Sequence, residues 1–412
     1  MDPGMAIFAR TITVISFAIL SVSAGAQETA SVLPKSIFRG RIVSVFAPNV
    51  SEQFNDQGEK ESLASAFDGK EVKFSAYAPP ALQAAVAGLP GGLNTTLPQL
   101  LDASYQVSAK YNVQQYVTAL EYGISSRFSI GVIVPVVHIQ AQASLSSENG
   151  HDQARAILEN PALASLKPYI DAYLQKSTLD GLGYQTPTDF SMTGVGDIEV
   201  GGKYQFYKSD DLAMALQAGV RLPTASHRPD QRNLFDLGSG DGQTDVAVQW
   251  MGDYHLNSNL YFGGSTRLTW QLADTEDRHI RRYSWELLPD LNDDSRRDSY
   301  LRRDLGETLD AEVSVNYEFS NDQFKVWTAY QYQLQAQDSY SGTKRLDYAS
   351  LEKNTNSILN RYTLGFGYTT IPAFRRKKIA VPMDLKISYS APFASQNVTN
   401  SKYGRFDLLV YF

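Results

Sequence analysis

The stretch ETLDAEVSVNYEF, residues 307–319, alternates between two kinds of side chain. Leu309, Ala311, Val313, Val315, Tyr317 and Phe319 fall on one side, and Asp310, Glu312, Ser314, Asn316 and Glu318 on the other. Successive side chains of an extended chain point to opposite faces, so this predicts a strand with one apolar and one polar face. After Ser320-Asn321-Asp322 the pattern resumes, with Phe324, Val326, Thr328, Tyr330, Tyr332 and Leu334 opposite Lys325, Gln331 and Gln333. Two alternating runs joined by turn-forming residues predict a β-hairpin. Further hairpins follow the same rule. One turns at Lys208-Ser209-Asp210, with Ile198, Val200, Tyr204 and Phe206 answered by Leu212, Met214, Leu216 and Val220. Another turns at Asn257-Ser258-Asn259, between Val246, Val248, Trp250, Tyr254 and Leu260, Phe262, Leu268, Trp270. A third runs from Tyr105 to Tyr122, turns near Ser125-Ser126 and returns through Phe128, Ile130, Val132, Val134 and Val136. Its first strand changes phase near Gln114-Gln115, which predicts a bulge. The last sets Tyr362, Leu364, Phe366 and Tyr368 against Val381, Met383, Leu385, Ile387 and Tyr389. Its longer turn, 371–380, carries Arg375, Arg376, Lys377 and Lys378, which suits a solvated turn or contact with anionic headgroups.

A soluble sandwich would alternate as well, so two further features decide the environment. The face opposite the apolar one carries charges of both signs, among them Asp197, Glu199, Lys203, Arg221, Arg267 and Lys386. That is too polar for a buried core and suits a wet lumen. The connections also alternate, short at 123–127, 208–211, 257–259 and 320–322, long at 141–194, 224–241, 273–306 and 337–357. Together these predict an all-β fold: a transmembrane antiparallel β-barrel of about twelve strands, with short periplasmic turns and long extracellular loops that include some helix. The expected layout is a signal at 1–26, a periplasmic N-terminal segment at 27–38 and a strand at 39–47. Then come a loop at 48–104, strands within 105–140, a loop at 141–194, strands within 195–223 and a loop at 224–241. Strands within 242–272, a loop at 273–306, strands within 307–336 and a loop at 337–357 follow, before strands within 358–391 and a final strand at 403–412. EVKFSAYA, 71–78, is assigned to the first loop as a local ribbon, because a thirteenth strand would leave the termini on opposite sides.

Composition sharpens this picture. The mean hydropathy is −0.29, and past the N-terminus no run is long and apolar enough for a helical span. The 24 Tyr and 19 Phe are instead distributed through alternating segments, as expected of aromatic girdles. Residues 5–26 carry Arg10, an apolar run from Ile12 to Val22 and the small residues Ala24, Gly25 and Ala26, which predicts a secretory signal and a mature start near Gln27. The absence of cysteine excludes disulfides, a lipidated cysteine and thiolate metal sites. A net charge of −7 with no basic, aromatic-interleaved patch argues against nucleic-acid binding.

The central hairpin carries a more specific pattern: TGVGDIEVGGKYQFY, LAMALQAGVRLPTA and LGSGDGQTDVAVQW. It resembles a family of outer-membrane transporters associated with the meta-pathway of phenol degradation. That family shows a GxGD-led strand, a Lys-Tyr pair, a strand ending Leu-Pro-Thr/Ser, and a G-x-G before the next strand. Here these are Gly194, Gly196, Asp197, Lys203, Tyr204, Leu222, Pro223, Thr224, Gly238 and Gly240, and EYGISSRFSIGVIVPV (121–136) resembles the family's early turn. The resemblance implies admission of small hydrophobic or aromatic compounds and carries over no catalytic residues.

The expected lumen-lining residues are Asp197, Glu199, Lys203, Arg221, Asp245, Arg267, Asp310, Glu312, Lys325, Arg361, Lys386 and Asp407. Two loop segments, 78–102 and 151–176, have helical apolar spacing and offer Leu82, Val86, Leu89, Leu163, Leu166, Ile170 and Leu174 as a plug or vestibule; mutual packing at the rim is the alternative. Phe406, Leu408, Val410 and Phe412 resemble the C-terminal signal by which outer-membrane proteins are recognised for assembly. The charged loop 274–306 suits either its own salt bridges or lipopolysaccharide contact. Of five histidines, only His138 and His255 fall on expected strands, which argues against a lipid hydrolase, and Asp290-Leu291-Asn292-Asp293-Asp294 is too irregular for a calcium loop. The sequence therefore predicts a monomeric passive channel with no cofactor, metal or catalytic site. Its partners would be outer-membrane lipid, lipopolysaccharide, the barrel-assembly machinery and a small solute, with no nucleic acid. A sealed barrel that works through its outer loops is the competing class.

Overall fold

The computed structural model describes residues 29–65, 68–283, 286, 288–320 and 322–412. The expected signal, 1–26, lies outside them, as does Asn321 of the turn expected at 320–322.

Twelve antiparallel strands form a closed ring. They are β1 (Phe38–Val50), β2 (Ala103–Gly123), β3 (Phe128–Asn149), β4 (Ile198–Lys208), β5 (Leu212–Leu222) and β6 (Asp245–His255), followed by β7 (Leu260–Gln271), β8 (Thr308–Phe319), β9 (Phe324–Gln335), β10 (Ser357–Thr369), β11 (Met383–Gln396) and β12 (Tyr403–Tyr411). Each pairs with its chain neighbours, and β12 closes on β1 from Arg39↔Tyr411 to Phe46↔Gly404. Closure satisfies every strand edge, which a bilayer requires because lipid offers no hydrogen bonds. The even strand count puts both ends of the described chain on the side of the short turns. No helix among the described residues is long and apolar enough to cross a membrane; the strands do that.

The ring is turned inside out relative to a soluble core. On β8, Val313, Val315 and Tyr317 are exposed outward while Ser314 and Asn316 are buried inward. Leu364 and Phe366 on β10, and Ile387 and Tyr389 on β11, are likewise exposed. Rings collect at the periplasmic rim, where Phe38 stacks on Phe412 with centroids 5.7 Å apart and lies 4.5 Å from Tyr122, and where Phe319, Phe324 and Tyr368 touch in series. A second group, Tyr330, Tyr362 and Phe393, sits higher on the wall. Amphipathic rings favour the two interfacial levels of a bilayer.

Strands β2 and β3 are 21 and 22 residues long and stay paired from Ala103↔Asn149 to Gly123↔Ser129 without a register shift. No bulge occurs at Gln114-Gln115. The phase change in the sequence arises because the inner face of β2 is itself apolar, so hydrophobicity changes side without any change in geometry. Two short strands extend the sheet above the ring: Lys70–Val72 pairs with Tyr105–Ala103, and Phe190–Val195 pairs with the upper part of β3. In segment 71–78 only the first residues pair, extending the sheet beside β2, and Phe74–Tyr77 is helical.

Four helices stand where β2 and β3 rise past their neighbours: α1 (Pro80–Ala87), α2 (Leu93–Leu101), α3 (His151–Leu158) and α4 (Lys167–Lys176). Their apolar faces form one shared cluster, with Val86, Leu97, Leu101, Ala154, Ile170 and Leu174 at 0 % exposure. The charged loop builds a small sheet from Asp274–His279, Arg297–Asp304 and Ser339–Ser341. Arg303 pairs with Asp274 at 2.8 Å, Arg296 with Glu286 at 2.6 Å, and Arg297 with Asp277.

Candidate functional site: the lumen

The alternation that places apolar residues in lipid brings the expected lumen residues to the inner face. Four of them form a network along adjacent strands. Arg221 on β5 meets Asp245 on β6 at 3.0 Å and lies 4.0 Å from Glu199 on β4, and Arg267 on β7 reaches Glu199 at 3.0 Å. These pairs lie within a quarter-turn of the ring, so they line one wall and do not cross the diameter. Asp310 and Glu312 continue that wall on β8, and the Gln331 amide on β9 donates to Asp310 at 3.4 Å. On the opposite side Asp407 is held by Arg405 at 2.7 Å and by Arg41 at 2.8 Å, with Lys386 on the neighbouring strand. Lower down, Lys325 donates to the Tyr261 hydroxyl and lies 5.7 Å from the ring of Trp327. Trp327 in turn lies over Gly365 and Gly367.

Asp197 has a different role from the rest. Its carboxylate accepts the backbone N–H groups of Ala225 (2.9 Å) and Asp241 (3.2 Å), pinning both ends of the loop between β5 and β6. A Cβ at Gly194 or Gly196 would press on Ser239, and one at Gly240 would press on Asp197 and Ala225. Thr224 Oγ1 accepts from Ile198 N–H at 2.9 Å, and the Ser239 hydroxyl donates to Val195 O at 2.8 Å. The GxGD, LPT and GxG signatures are therefore parts of one clamp. The clamp turns the loop inward, and a His227–Asp236 contact at 2.8 Å braces it.

What the clamp inserts is apolar. Leu234, Phe235 and Leu237 pack against Val43, Val45 and Ala47 of β1, Tyr111, Val113 and Val117 of β2, Val137 and Ile139 of β3, and Tyr403 of β12. Tyr111 donates its hydroxyl to Phe235 O at 3.3 Å. This apolar quadrant was absent from the expected lumen set. Its signal was present in the sequence, in the odd-numbered apolar residues of the strand that resembled a bulge.

The candidate plug or vestibule residues pack on one another. Leu82, Val86, Leu89, Leu163, Leu166, Ile170 and Leu174 all belong to the shared helical cluster. Of the two expected arrangements, mutual packing is the one formed, and the inserted segment is the 224–241 loop. The helices α1–α4 bury their apolar faces in each other, whereas Leu234, Phe235 and Leu237 of the 224–241 loop bury theirs against the barrel wall.

The periplasmic end has a floor. Ala30 N–H donates to Asp253 Oδ2 on β6 at 2.8 Å, Gln205 on β4 donates to Ala30 O at 3.0 Å, and Lys203 to Thr29 O at 3.2 Å. Ser36 N–H bonds Gly123 O at the foot of β2. Residues 30–36 thus run across the mouth from β6 to β2 as a strap. Its span is within the reach of an extended chain, roughly 20 Å for six residues. Residues 29–36, part of the N-terminal segment expected at 27–38, are hydrogen-bonded to the lower barrel wall.

The histidines are spread through the molecule. His138 faces outward beside Thr193, His255 stacks on Tyr261 at 4.8 Å, and His151 and His279 lie in the outer loops. Ser239, His227 and Asp236 share a loop, but the serine hydroxyl contacts backbone atoms and not the imidazole, so no nucleophile is activated there. No metal-ligating group of three or more His, Asp or Glu occurs among the described residues.

No curated protein matches the chain by sequence. Among solved structures, the crystal structure of an outer membrane channel from Pseudomonas putida F1 superposes with a TM-score of 0.52 at 11% identity, covering 94% of this chain and 100% of that one. Looser likenesses are the CymD monoaromatic hydrocarbon channel (7% identity, 92% and 88% coverage, TM-score 0.33) and a Pseudomonas aeruginosa FadL homologue (10%, 99% and 97%, 0.34). Likenesses that loose say nothing of what this chain carries. The fold places the chain in the bacterial outer membrane. The family described as "Putative MetA-pathway of phenol degradation" matches residues 87–355, well over half the sequence and the whole of the loop clamp, and the chain belongs to that family.

Proposed function

We propose that the protein is a passive outer-membrane channel for small hydrophobic or aromatic molecules. The observation that supports this most is the apolar inner quadrant of β1–β3, with Phe235 and Leu237 laid against it. A barrel needs polar residues inside to hold water, and a long apolar strip there is costly unless something apolar covers it. The loop covers the strip, whose side chains are buried, and displacement of the loop would open an apolar surface suited to a solute with an apolar body. The final strand would be read by the assembly machinery through Phe412, and the stapled outer loops would face lipopolysaccharide. The test is initial uptake of radiolabelled toluene by intact cells with and without the protein, since the lipopolysaccharide leaflet slows such solutes. The proposal expects faster uptake with the wild type and loss of that gain with Val137→Asp, a correctly inserted variant. Equal uptake in all three would contradict it. The strap and the ion-paired outer sheet favour a second reading, a closed barrel acting through its loops, which equal uptake would support.

A further inference from the structure

Five lumen arginines have a carboxylate: Arg39 with Glu121, Arg41 and Arg405 with Asp407, Arg221 with Asp245, and Arg267 with Glu199. Arg361 on β10 does not. It is 1% exposed and among the largest fully buried side chains. Its Nη1 donates to Gln331 Oε1 at 3.4 Å and to the Tyr403 hydroxyl at 3.3 Å, and its guanidinium carbon lies 5.0 Å from the centre of the Tyr403 ring. Nε and Nη2 have no hydrogen-bond partner. Those two N–H groups lie side by side along one edge of the guanidinium, the edge that matches both oxygens of a carboxylate. Asp310, two strands away on this wall, is engaged by the other end of Gln331. A buried cation with three of its five N–H donors unmet is costly, and an anionic ligand would complete it.

The surroundings say what kind of ligand. Tyr403 is both the ring beneath Arg361 and a member of the apolar quadrant with Val43, Val45 and Tyr111. Charge recognition and apolar surface therefore meet at one residue. We propose that Arg361 is the anion station of this lumen. Its free edge takes the carboxylate of a small amphipathic acid, whose apolar body lies against Tyr403 and the β1–β3 wall. This rests on the channel reading above and names a solute class for it.

The test uses the purified full chain in detergent, with benzoate and its neutral isostere benzamide as probes in equilibrium dialysis at neutral pH. Wild type should bind benzoate in preference to benzamide. Arg361→Gln should weaken benzoate at least about tenfold, the loss expected for a charge-assisted hydrogen bond, and leave benzamide unchanged. Arg361→Lys keeps the charge without the parallel donors and should fall between the two; it carries the test if the glutamine variant lacks the heat-modifiable gel migration of a folded barrel. Wild type that fails to prefer benzoate, or variants that bind it as wild type does, would overturn the proposal. Toluene uptake separates the two ideas. Normal uptake without benzoate binding removes the anion station alone, and benzoate binding through Arg361 without toluene uptake removes the neutral-solute channel alone.

Discussion

At Gly123 any side chain would collide with the carbonyl oxygens of Leu33 and Pro34. The residue lies at the end of β2, where the strap crosses and bonds its backbone on both sides, through Ser36 N–H and Ile37 O. Gly123→Val should therefore lift the strap without touching the barrel wall, and Asp253→Ala should release its other end. Both are expected to raise single-channel conductance, and conductance equal to wild type in both would show that the strap does not limit the route. Gly365 tells a similar story in the wall. A Cβ there would strike the Trp327 ring. Gly365→Ala should cost about 1–3 kcal/mol of stability in a urea titration, as overpacking does. Neither glycine announced its role in the sequence, because each is set by a segment distant along the chain.

Among the elements, the inserted loop and the helical cap make opposite predictions. Replacing 228–237 with a short Gly-Ser linker should widen the upper lumen and raise conductance several-fold. Deleting 151–176 should leave it unchanged, since that segment packs on other helices. The reverse result would exchange their roles. The outer sheet has its own signature in pH. The Ser295 hydroxyl, and after it Arg296, hold Asp293 down to about 2, and Arg297 holds Asp277 below its ordinary value. A lowered carboxyl stabilises the fold above its ordinary pKa of 3.8 and loses that contribution as pH falls toward its folded value. Amide protection in 273–306 should thus be full at neutral pH and decline between about 4 and 2. Protection independent of pH across that window would contradict the assignment. The hairpins were legible because period-2 alternation repeats locally. The 224–241 insertion was not, because it depends on Asp197 accepting from Ala225 and Asp241 and on Ser239 reaching Val195 O, contacts between segments distant in the chain. Its signature motifs could be quoted from the sequence without revealing that they form one clamp.

For the whole molecule, strand number and orientation followed from two simple regularities, the alternation of faces and the alternation of loop lengths. The polar lumen residues followed from the same rule, since whatever does not face lipid faces inward. The apolar quadrant escaped that rule because hydrophobicity changes side along β2, where Tyr111 and Val113 point inward and Lys110, Asn112 and Gln114 point outward, and alternation alone does not say which face is the lumen. The strap escaped because its hydrogen bonds use backbone groups. Both omissions concern what narrows the route, which bears most directly on function. Planar-bilayer recording of the wild-type protein and of the variant lacking 228–237 tests the central claim most directly. The predicted result is small, discrete steps in the wild type and larger ones in the variant. Silence in both would contradict a channel and leave a closed barrel whose loops do the work.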